Sequence, residues 1–324
     1  MIQRRVHPRT LAIHLTALTA VLAFAAGGTG LGQEQARPAL HLNPSIAKWV
    51  AGKAAIGIST SSFSLEDAQT VARSGADFVR LDMEHSPFSA ETIRMYLVGM
   101  TDKAGILKKG NAQFPVAPVV RIPTYGRESS DWVVKQSLDA GMMGIKFPTI
   151  DNKEEAMRAV RGMRYPAKRG SKYPQPAGLR GMGAGNATWL WGIGGDEYNR
   201  RADLWPLNPD GDLFSIIMIE SAEGVKNVDE IAAVPGVGVL FVGTAGDLPA
   251  SLGVSPGAPE VEAAAQTVLA ACKKHNVICG GLANAGDIER KIKEGWKYID
   301  VGRTGAGLAT GTAAALKAGQ SANR

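Results

Sequence analysis

Two carboxylates and a histidine follow one short apolar run in the first third of the chain. Asp82, Glu84 and His85 appear where the run around Phe78 ends, and Pro87 then stops the strand. Histidine ordinarily changes charge near neutral pH, so this group suits general acid–base chemistry, with His85 as the candidate base. An ion-paired strand end without a catalytic role is the alternative interpretation.

Further carboxylates stand at two later strand ends. Glu220 ends the apolar run that begins at Leu213, and Asp247 follows the run that ends at Gly243. Two carboxylates with few other ligand types suit a hard divalent cation, Mg²⁺ or Mn²⁺, that completes its octahedron with water and substrate. Such a cation would polarise a bound 2-oxo acid and stabilise the enolate formed from it. A zinc site would need more histidine or cysteine.

Two more polar residues fit a site that binds an oxo acid. Arg121 ends another apolar run and could donate charge-assisted hydrogen bonds to a substrate carboxylate or keto oxygen. Asp139, on the helix that follows, is a candidate for fixing the tautomer of His85. Gly243 is a further candidate substrate contact. An ion pair in the core is the alternative for Arg121.

These residues lie on a chain that alternates strands with helices. We predict eight strands, at 55–59, 77–83, 117–122, 144–148, 213–220, 237–243, 277–282 and 298–302. They are apolar on both faces, as a parallel sheet covered by helices requires. Eight such strand–helix units predict a (β/α)₈ TIM barrel, in which the strand carboxyl ends converge on one mouth.

One long segment, residues 164–212, has no regular pattern and is rich in glycine and proline. It also contains Trp189, Trp191 and Trp205. Long irregular loops in compact domains are usually functional. We predict that this segment covers the barrel mouth or forms part of an oligomer interface.

The N-terminus has the pattern of a secretory signal. A basic stretch precedes the apolar run Leu11–Ala26, and Ala23-Phe24-Ala25 fits the small-x-small cleavage rule. The run is short for a membrane span, so we expect an exported, periplasmic protein with no membrane attachment after cleavage. An uncleaved anchor is the alternative. We assign residues 1–32 to the signal peptide and lead-in, and 43–320 to a single barrel domain.

Composition excludes several classes of function. The net charge of +6 is modest, and no basic cluster carries interleaved aromatics, so nothing favours a nucleic-acid partner. Two cysteines, Cys272 and Cys279, are too few for a cysteine-rich metal site. They are either buried free thiols or, in an oxidising compartment, a disulfide.

Several segments resemble, in order, those of the HpcH/HpaI aldolases, the metal-dependent class II pyruvate aldolases related to the citrate lyase β-subunit. The resemblance runs from about Asn43 to the last helix. The matching segments are Phe78–Pro87 (D-x-E-H), Pro118–Pro123 (VVR-x-P), Leu138–Pro148 (LD-x-G…P), Arg164–Pro166 with Gly178–Gly183, Ile219-Glu220, and Asp247–Gly253.

This resemblance implies a barrel of the phosphoenolpyruvate/pyruvate type that forms a homo-oligomer, hexameric or dimer-based. It implies reversible aldol cleavage of a 4-hydroxy-2-oxo acid to pyruvate and an aldehyde, through an enolate stabilised by Mg²⁺ or Mn²⁺. By position, Glu220 and Asp247 would bind the metal and Arg121 would hold pyruvate. His85, oriented by Asp139, would be the base. Asp82 and Glu84 would support these residues.

The chain departs from the family pattern at three places. Met218 replaces a glutamine, one extra residue precedes Asp247, and Lys146 replaces an apolar residue. A lysine within a barrel strand suits a Schiff-base aldolase if burial lowers its pKa. A second alternative is an exported barrel that binds keto acids or sugars without catalysis, with the tryptophans of 164–212 as a stacking surface. A third is cleavage of an acyl-CoA ester.

Overall fold

Eight parallel strands close into a barrel at the centre of the protein. The computed structural model describes residues 41–126, 128–305 and 307–323. Each strand pairs with the next in sequence, and β8 pairs with β1, which confirms the predicted TIM barrel. The strands are β1 (Ala55–Thr60), β2 (Phe78–Asp82), β3 (Ala117–Arg121), β4 (Gly144–Phe147), β5 (Phe214–Ile219), β6 (Val237–Val242), β7 (Ile278–Leu282) and β8 (Tyr298–Arg303).

Fourteen helices lie in the described part of the chain and surround the barrel. They are α1 (Pro44–Val50), α2 (Leu65–Ala72), α3 (Ala90–Gly99), α4 (Lys103–Lys109), α5 (Asp131–Ala140), α6 (Lys153–Met163), α7 (Gly185–Trp191), α8 (Gly195–Arg201), α9 (Ala222–Lys226), α10 (Val228–Ala232), α11 (Asp247–Leu252), α12 (Pro259–His275), α13 (Ile288–Glu294) and α14 (Thr310–Ala322). The sequence did not predict α1, α4, α7, α8 and α11. Between β5 and β6 the chain forms two short helices, α9 and α10, which meet at Asn227.

Side-chain caps fix where several helices begin after the loops at the mouth. Ser89 is the N-cap of α3, and its side chain accepts a hydrogen bond from the backbone N–H of Thr92 at 3.1 Å. Asn152 caps α6 in the same way through the N–H of Glu155, at 3.0 Å. Such caps satisfy N–H groups that have no partner within the helix. They therefore fix the lengths of the loops between strand and helix at this end of the barrel.

The barrel interior changes from aromatic to ionic toward the mouth. Successive side chains of a strand point to opposite faces, so Phe78, Arg80 and Asp82 of β2 all point inward. Phe78 stacks on Tyr298 of β8, with ring centroids 4.0 Å apart. Arg80 and Asp82 lie two and four residues closer to the mouth than Phe78, and both are also buried. The outer faces of the strands carry aliphatic side chains that pack on the helices.

Helix α1 closes the barrel at the amino ends of the strands. Its Trp49 packs on Phe214, with centroids 5.0 Å apart, and donates a hydrogen bond to the carbonyl of Lys297. Ahead of this helix, His41 Nδ1 lies 3.2 Å from the carboxylate of Asp212, which precedes β5. The N-terminal end of the described chain is therefore anchored at the closed end of the barrel.

Residues 164–212 also lie at the closed end. They connect α6 to β5, and a connection from a helix to the next strand lies at the amino ends of the strands. The prediction that this segment covers the mouth is therefore wrong for a single chain. Trp205 packs on Trp49, and buried Trp191 donates a hydrogen bond to the carbonyl of Gly141. Neither belongs to a stacking surface at the mouth.

Three further features were considered in the sequence: a membrane span, the two cysteines and the signal peptide. None of the helices between His41 and Asn323 that are described combines the length and hydropathy needed to cross a bilayer. Cys272 and Cys279 are buried free thiols, the first of the two states weighed above. The predicted signal peptide lies outside the described residues.

Candidate active site

Asp82 and Arg121 form the centre of the mouth. They are register partners at the ends of β2 and β3. Arg121 donates from Nε to Oδ1 of Asp82 at 3.1 Å, and from Nη2 to Oδ2. Burial would raise the pKa of Asp82, but the guanidiniums of Arg121 and Arg80 hold it well below its ordinary value. Both groups are therefore charged, and the plane of the Arg121 guanidinium is fixed.

A second ion pair lies beneath the first. Arg80 Nη1 lies 3.3 Å from Asp82 Oδ2, and its Nε donates to Asp300 Oδ2, also at 3.3 Å. Sequence reasoning missed Arg80 and Asp300, although the alternation of side chains offered a signal. Arg80 is two residues before Asp82, and Asp300 is two residues after the inward-pointing Tyr298. These buried pairs support Arg121 from below.

Glu84 and His85 lie above Arg121. Oε2 of Glu84 forms an ion pair with Nη1 of Arg121, at 2.7 Å. Nε2 of His85 lies 3.6 Å from the same oxygen, and the imidazole is 65% exposed. Burial raises the pKa of Glu84, although the charges of Arg121 and His85 oppose this shift. His85 is thus the solvent-facing member of the group, with Glu84 as its neighbouring carboxylate.

Asp139 does not contact His85 within one chain, which corrects the expected pairing. Asp139 lies near the end of α5, just before β4 begins, so it belongs to the closed end of the barrel. There it accepts a hydrogen bond from Nη2 of Arg180 at 2.9 Å and pairs with Lys135. His85 follows the carboxyl end of β2, at the opposite end.

Glu220 directly follows β5 at the mouth. Its Oε1 accepts the backbone N–H of Thr149 at 2.7 Å. Burial raises the pKa of Glu220 to about 7; the Thr149 N–H opposes this shift, and the negative charges of Glu84 and Asp247 add to it. Thr149 is a third residue that sequence reasoning missed; its φ is 55°, and no side-chain feature predicts this role.

Gly243 and Asp247 lie near Glu220, in the chain that follows the adjacent strand β6. Asp247 begins α11 and is exposed, and its charge raises the pKa of Glu220. Gly243 directly follows β6, and a Cβ built on it would lie 3.3 Å from Oε2 of Glu220. The space beside Oε2 is therefore open because residue 243 has no side chain.

These residues fit a divalent cation with an incomplete protein shell. The available donors are carboxylate oxygens. Burial raises the pKa of Glu220 most, and a cation would relieve the repulsion from Glu84 and Asp247 that adds to this effect. No group of three or more His, Cys, Asp or Glu side chains among residues 41–126, 128–305 and 307–323 is placed so that it could hold a metal ion. Two carboxylates with open positions suit Mg²⁺ or Mn²⁺, which retain water and substrate oxygens as ligands.

The sequence profile of the HpcH/HpaI aldolase/citrate lyase family matches residues 57–310. The chain belongs to this family. It is 32% identical over 267 residues to a 5-keto-4-deoxy-D-glucarate aldolase of Salmonella paratyphi C, covering 82% of this chain and 91% of that one. It is 33% identical over 235 residues to a hydroxypyruvate/pyruvate aldolase of Paraburkholderia phytofirmans, covering 72% and 80%.

A solved structure supports the same assignment. An HpcH/HpaI aldolase/citrate lyase family protein of Burkholderia cenocepacia J2315 is 35% identical, with a TM-score of 0.63, over 78% of this chain and 88% of that one. Aldolases are carbon–carbon lyases. The present HpcH/HpaI family member is an enzyme of that class.

Lys146 of β4 lies inside the barrel. Its side chain is buried, and Nζ lies 3.1 Å from the centroid of the Phe241 ring. Burial lowers the pKa of Lys146 well below its ordinary value, and the charges of Arg80 and Arg121 add to this effect. An amine with a lowered pKa is more often uncharged, as a Schiff-base nucleophile must be.

Proposed function

We propose that the protein cleaves a 4-hydroxy-2-oxo acid reversibly to pyruvate and an aldehyde, with Mg²⁺ or Mn²⁺ bound at the mouth. The observation that carries the proposal is the fixed guanidinium of Arg121, held by Asp82 and Glu84 at the same end of the barrel as Glu220 and Asp247. The names of the relatives, which include an oxo sugar acid and pyruvate, support an oxo acid as substrate.

Glu220 and Asp247 are the residues proposed to hold the cation. A bound cation would supply positive charge that stabilises the oxygen of the pyruvate enolate. The open space beside Gly243 gives substrate and water access to the same region. The partners of the enzyme are thus small molecules, a keto acid and an aldehyde.

Arg121 is proposed to bind the carboxylate and keto oxygen of the substrate. A guanidinium has five N–H groups, and Arg121 donates hydrogen bonds from Nε and Nη2 to Asp82, while its Nη1 forms an ion pair with Glu84. The other N–H groups on the terminal nitrogens are proposed to bind the substrate. Because the ion pairs fix the plane of the guanidinium, these donors are oriented before the substrate arrives.

His85 is proposed to be the base that takes the proton of the 4-hydroxyl group. It is exposed at the mouth, so substrate can reach it, and Glu84 lies beside it. Any contact with Asp139 would need a second copy of the chain, because Asp139 is at the closed end of its own barrel. We propose such a homo-oligomer, hexameric or dimer-based, and the exposed apolar side chains of Met95, Trp132 and Trp189 support one.

We also propose that the enzyme is exported to the periplasm. The support is the basic stretch followed by the apolar run Leu11–Ala26 and the small residues after it. N-terminal sequencing of protein recovered from the periplasmic fraction of the native host tests this point. A mature chain that still begins at Met1 would contradict it.

The experiment that tests the proposed chemistry is exchange of the pyruvate methyl protons in D₂O, followed by NMR. Exchange should disappear after EDTA treatment and return with Mg²⁺ or Mn²⁺, because enolate formation needs the cation. The variant Glu220→Gln is the matched control and should stay inactive with added metal. Absence of exchange under every condition would contradict the proposal.

Lys146 supports a second candidate, a Schiff-base aldolase, because its amine is buried in the barrel with a lowered pKa. In this mechanism Nζ adds to the carbonyl carbon of pyruvate, the carbonyl oxygen leaves as water, and a C=N bond joins Lys146 to the substrate. Borohydride would reduce that bond and add a stable mass to the protein. Exchange that survives EDTA, together with such an adduct, would favour this candidate over the metal-dependent one.

A further inference from the structure

The two oxygens of Glu220 have different environments. Oε1 accepts the backbone N–H of Thr149 at 2.7 Å. Oε2 lies on the side of Gly243, where a Cβ would be only 3.3 Å away. The first oxygen is thus engaged by the protein, and the second faces the open space next to the strand that leads to Asp247.

The peptide of Thr149 is held in an unusual conformation. Thr149 lies just beyond β4, which pairs with β5, and its φ of 55° is in the left-handed region that β-branched residues rarely adopt. Strained backbone of this kind persists only where the surrounding structure determines it. The strained peptide directs its N–H at Oε1 of Glu220.

Gly126 fixes this peptide from the neighbouring loop. A Cβ built on Gly126 would overlap the carbonyl oxygen of Thr149. The N–H of Gly126 also donates to the carbonyl of Pro148, at 3.4 Å. Backbone therefore packs directly on backbone, and only glycine at position 126 permits the contact.

We propose that the Thr149 N–H, held by Gly126, restricts Glu220 to binding a cation through Oε2 alone, and so makes the site select small octahedral cations over Ca²⁺. Ca²⁺ takes six to eight oxygens and often uses both oxygens of a carboxylate, whereas Mg²⁺ takes six and uses one oxygen per carboxylate. Thr149 is a positioning residue. The inference rests on the proposed function only in taking Glu220 as a ligand.

Competition binding without substrate tests the selectivity. Mn²⁺ bound to the full-length protein is measured by electron paramagnetic resonance, with Mg²⁺ or Ca²⁺ as competitor. We expect Ca²⁺ to displace Mn²⁺ at least about tenfold less well than Mg²⁺ does in the wild type. In Gly126→Ala the displaced peptide frees Oε1, so Mn²⁺ should bind about tenfold more weakly, as when a supporting contact is lost. The difference between Mg²⁺ and Ca²⁺ as competitors of Mn²⁺ should also become smaller in this variant.

Two further variants separate the causes. Gly185→Ala adds a methyl group where nothing lies within 4 Å, and it should bind as the wild type does. Thr149→Gly keeps the N–H and accepts a positive φ, so it should retain the preference. A wild type that binds Mg²⁺ and Ca²⁺ equally, or a Gly126→Ala variant with unchanged preference, would overturn the inference and leave the proposed function standing.

If Gly126→Ala fails to fold, infrared spectroscopy of the wild-type protein tests whether Glu220 binds the cation through one oxygen. In wild-type protein with ¹³C-labelled glutamate carboxylates, a one-oxygen ligand gives a wide separation of the two carboxylate bands. Comparison with Glu220→Gln assigns those bands. Narrowly separated bands from Glu220 in the Mn²⁺-loaded protein would overturn the inference. A wild type that binds no cation would overturn both the inference and the metal-dependent part of the proposed function.

Discussion

Arg121 and Asp82 lie side by side at the ends of adjacent strands, joined by two parallel hydrogen bonds between guanidinium and carboxylate. Each also has a second partner, since Glu84 contacts Arg121 and Arg80 contacts Asp82. A planar group held at this many points loses little freedom when a substrate binds, so its donors are preorganised.

Replacing Arg121 with lysine should therefore remove most activity although the charge is kept. Lysine cannot reproduce the planar two-point contact. We expect the rate of metal-dependent pyruvate proton exchange to fall by about 10²–10³, the usual effect of losing one such donor. Circular dichroism and Mn²⁺ binding should remain those of the wild type. An exchange rate within a few fold of the wild type would remove Arg121 from the site.

Asp82→Asn should lower the free energy of unfolding. It leaves the buried cation Arg80 with one partner fewer, and breaking a buried pair costs about 3–5 kcal/mol of unfolding free energy at neutral pH. The pKa of Asp82 is lower in the folded than in the unfolded state, where it is about 3.9. The ionised carboxylate therefore stabilises the fold fully above the unfolded-state pKa, and this stabilisation is lost as the pH falls through the folded-state pKa. The difference between variant and wild type should therefore shrink below about pH 4. Urea unfolding at several pH values measures this, and a difference independent of pH would contradict it.

Metal binding should weaken as the pH falls through neutrality. The pKa of Glu220 is about 7 without metal, and its protonated form does not bind a cation. Proton and metal compete, so affinity for Mn²⁺ should be greatest above pH 8 and fall by about tenfold per pH unit well below 7. Titration of Mn²⁺ at pH 6, 7 and 8 measures this. Glu154→Gln, at an exposed carboxylate, is the control and should follow the wild-type profile.

Lys146→Met should retain metal-dependent exchange. The substitution replaces a buried amine by an apolar side chain of similar length, and it removes the cost of burying that amine away from water. We therefore expect thermal stability to be equal or higher and exchange to stay within a few fold. Loss of exchange in this variant, with a borohydride-dependent pyruvate adduct in the wild type, would instead assign Lys146 as the nucleophile.

The barrel and the composition of its mouth could be predicted from the sequence because both follow from local patterns. Apolar runs of strand length, each followed by a helix, fix the eight-stranded barrel. Polar residues at strand ends then converge by topology, as Asp82 and Arg121 do. The position of residues 164–212 does not follow from their glycine and proline content. It follows from their place between α6 and β5, which puts them at the amino ends of the strands.

Other contacts have no local signal. Asp139 precedes a strand, so the barrel places it at the opposite end from His85. The family motif that implies their pairing does not show at which end of the barrel each residue lies. The left-handed conformation of Thr149 depends on Gly126 in another loop, and threonine itself gives no indication of it. Such relationships depend on how separate loops pack together, which periodicity does not encode.

Both ends of the described chain are fastened to the base of the barrel. Asn323 exchanges two hydrogen bonds with the backbone of Ala54, and His41 is tied to Asp212. A purification tag or a tether to a resin attached beside His41 or Asn323 would therefore lie at the opposite end of its own barrel from Glu220 and His85. The enzyme is suited by its connectivity to immobilisation with the reaction site facing the solution.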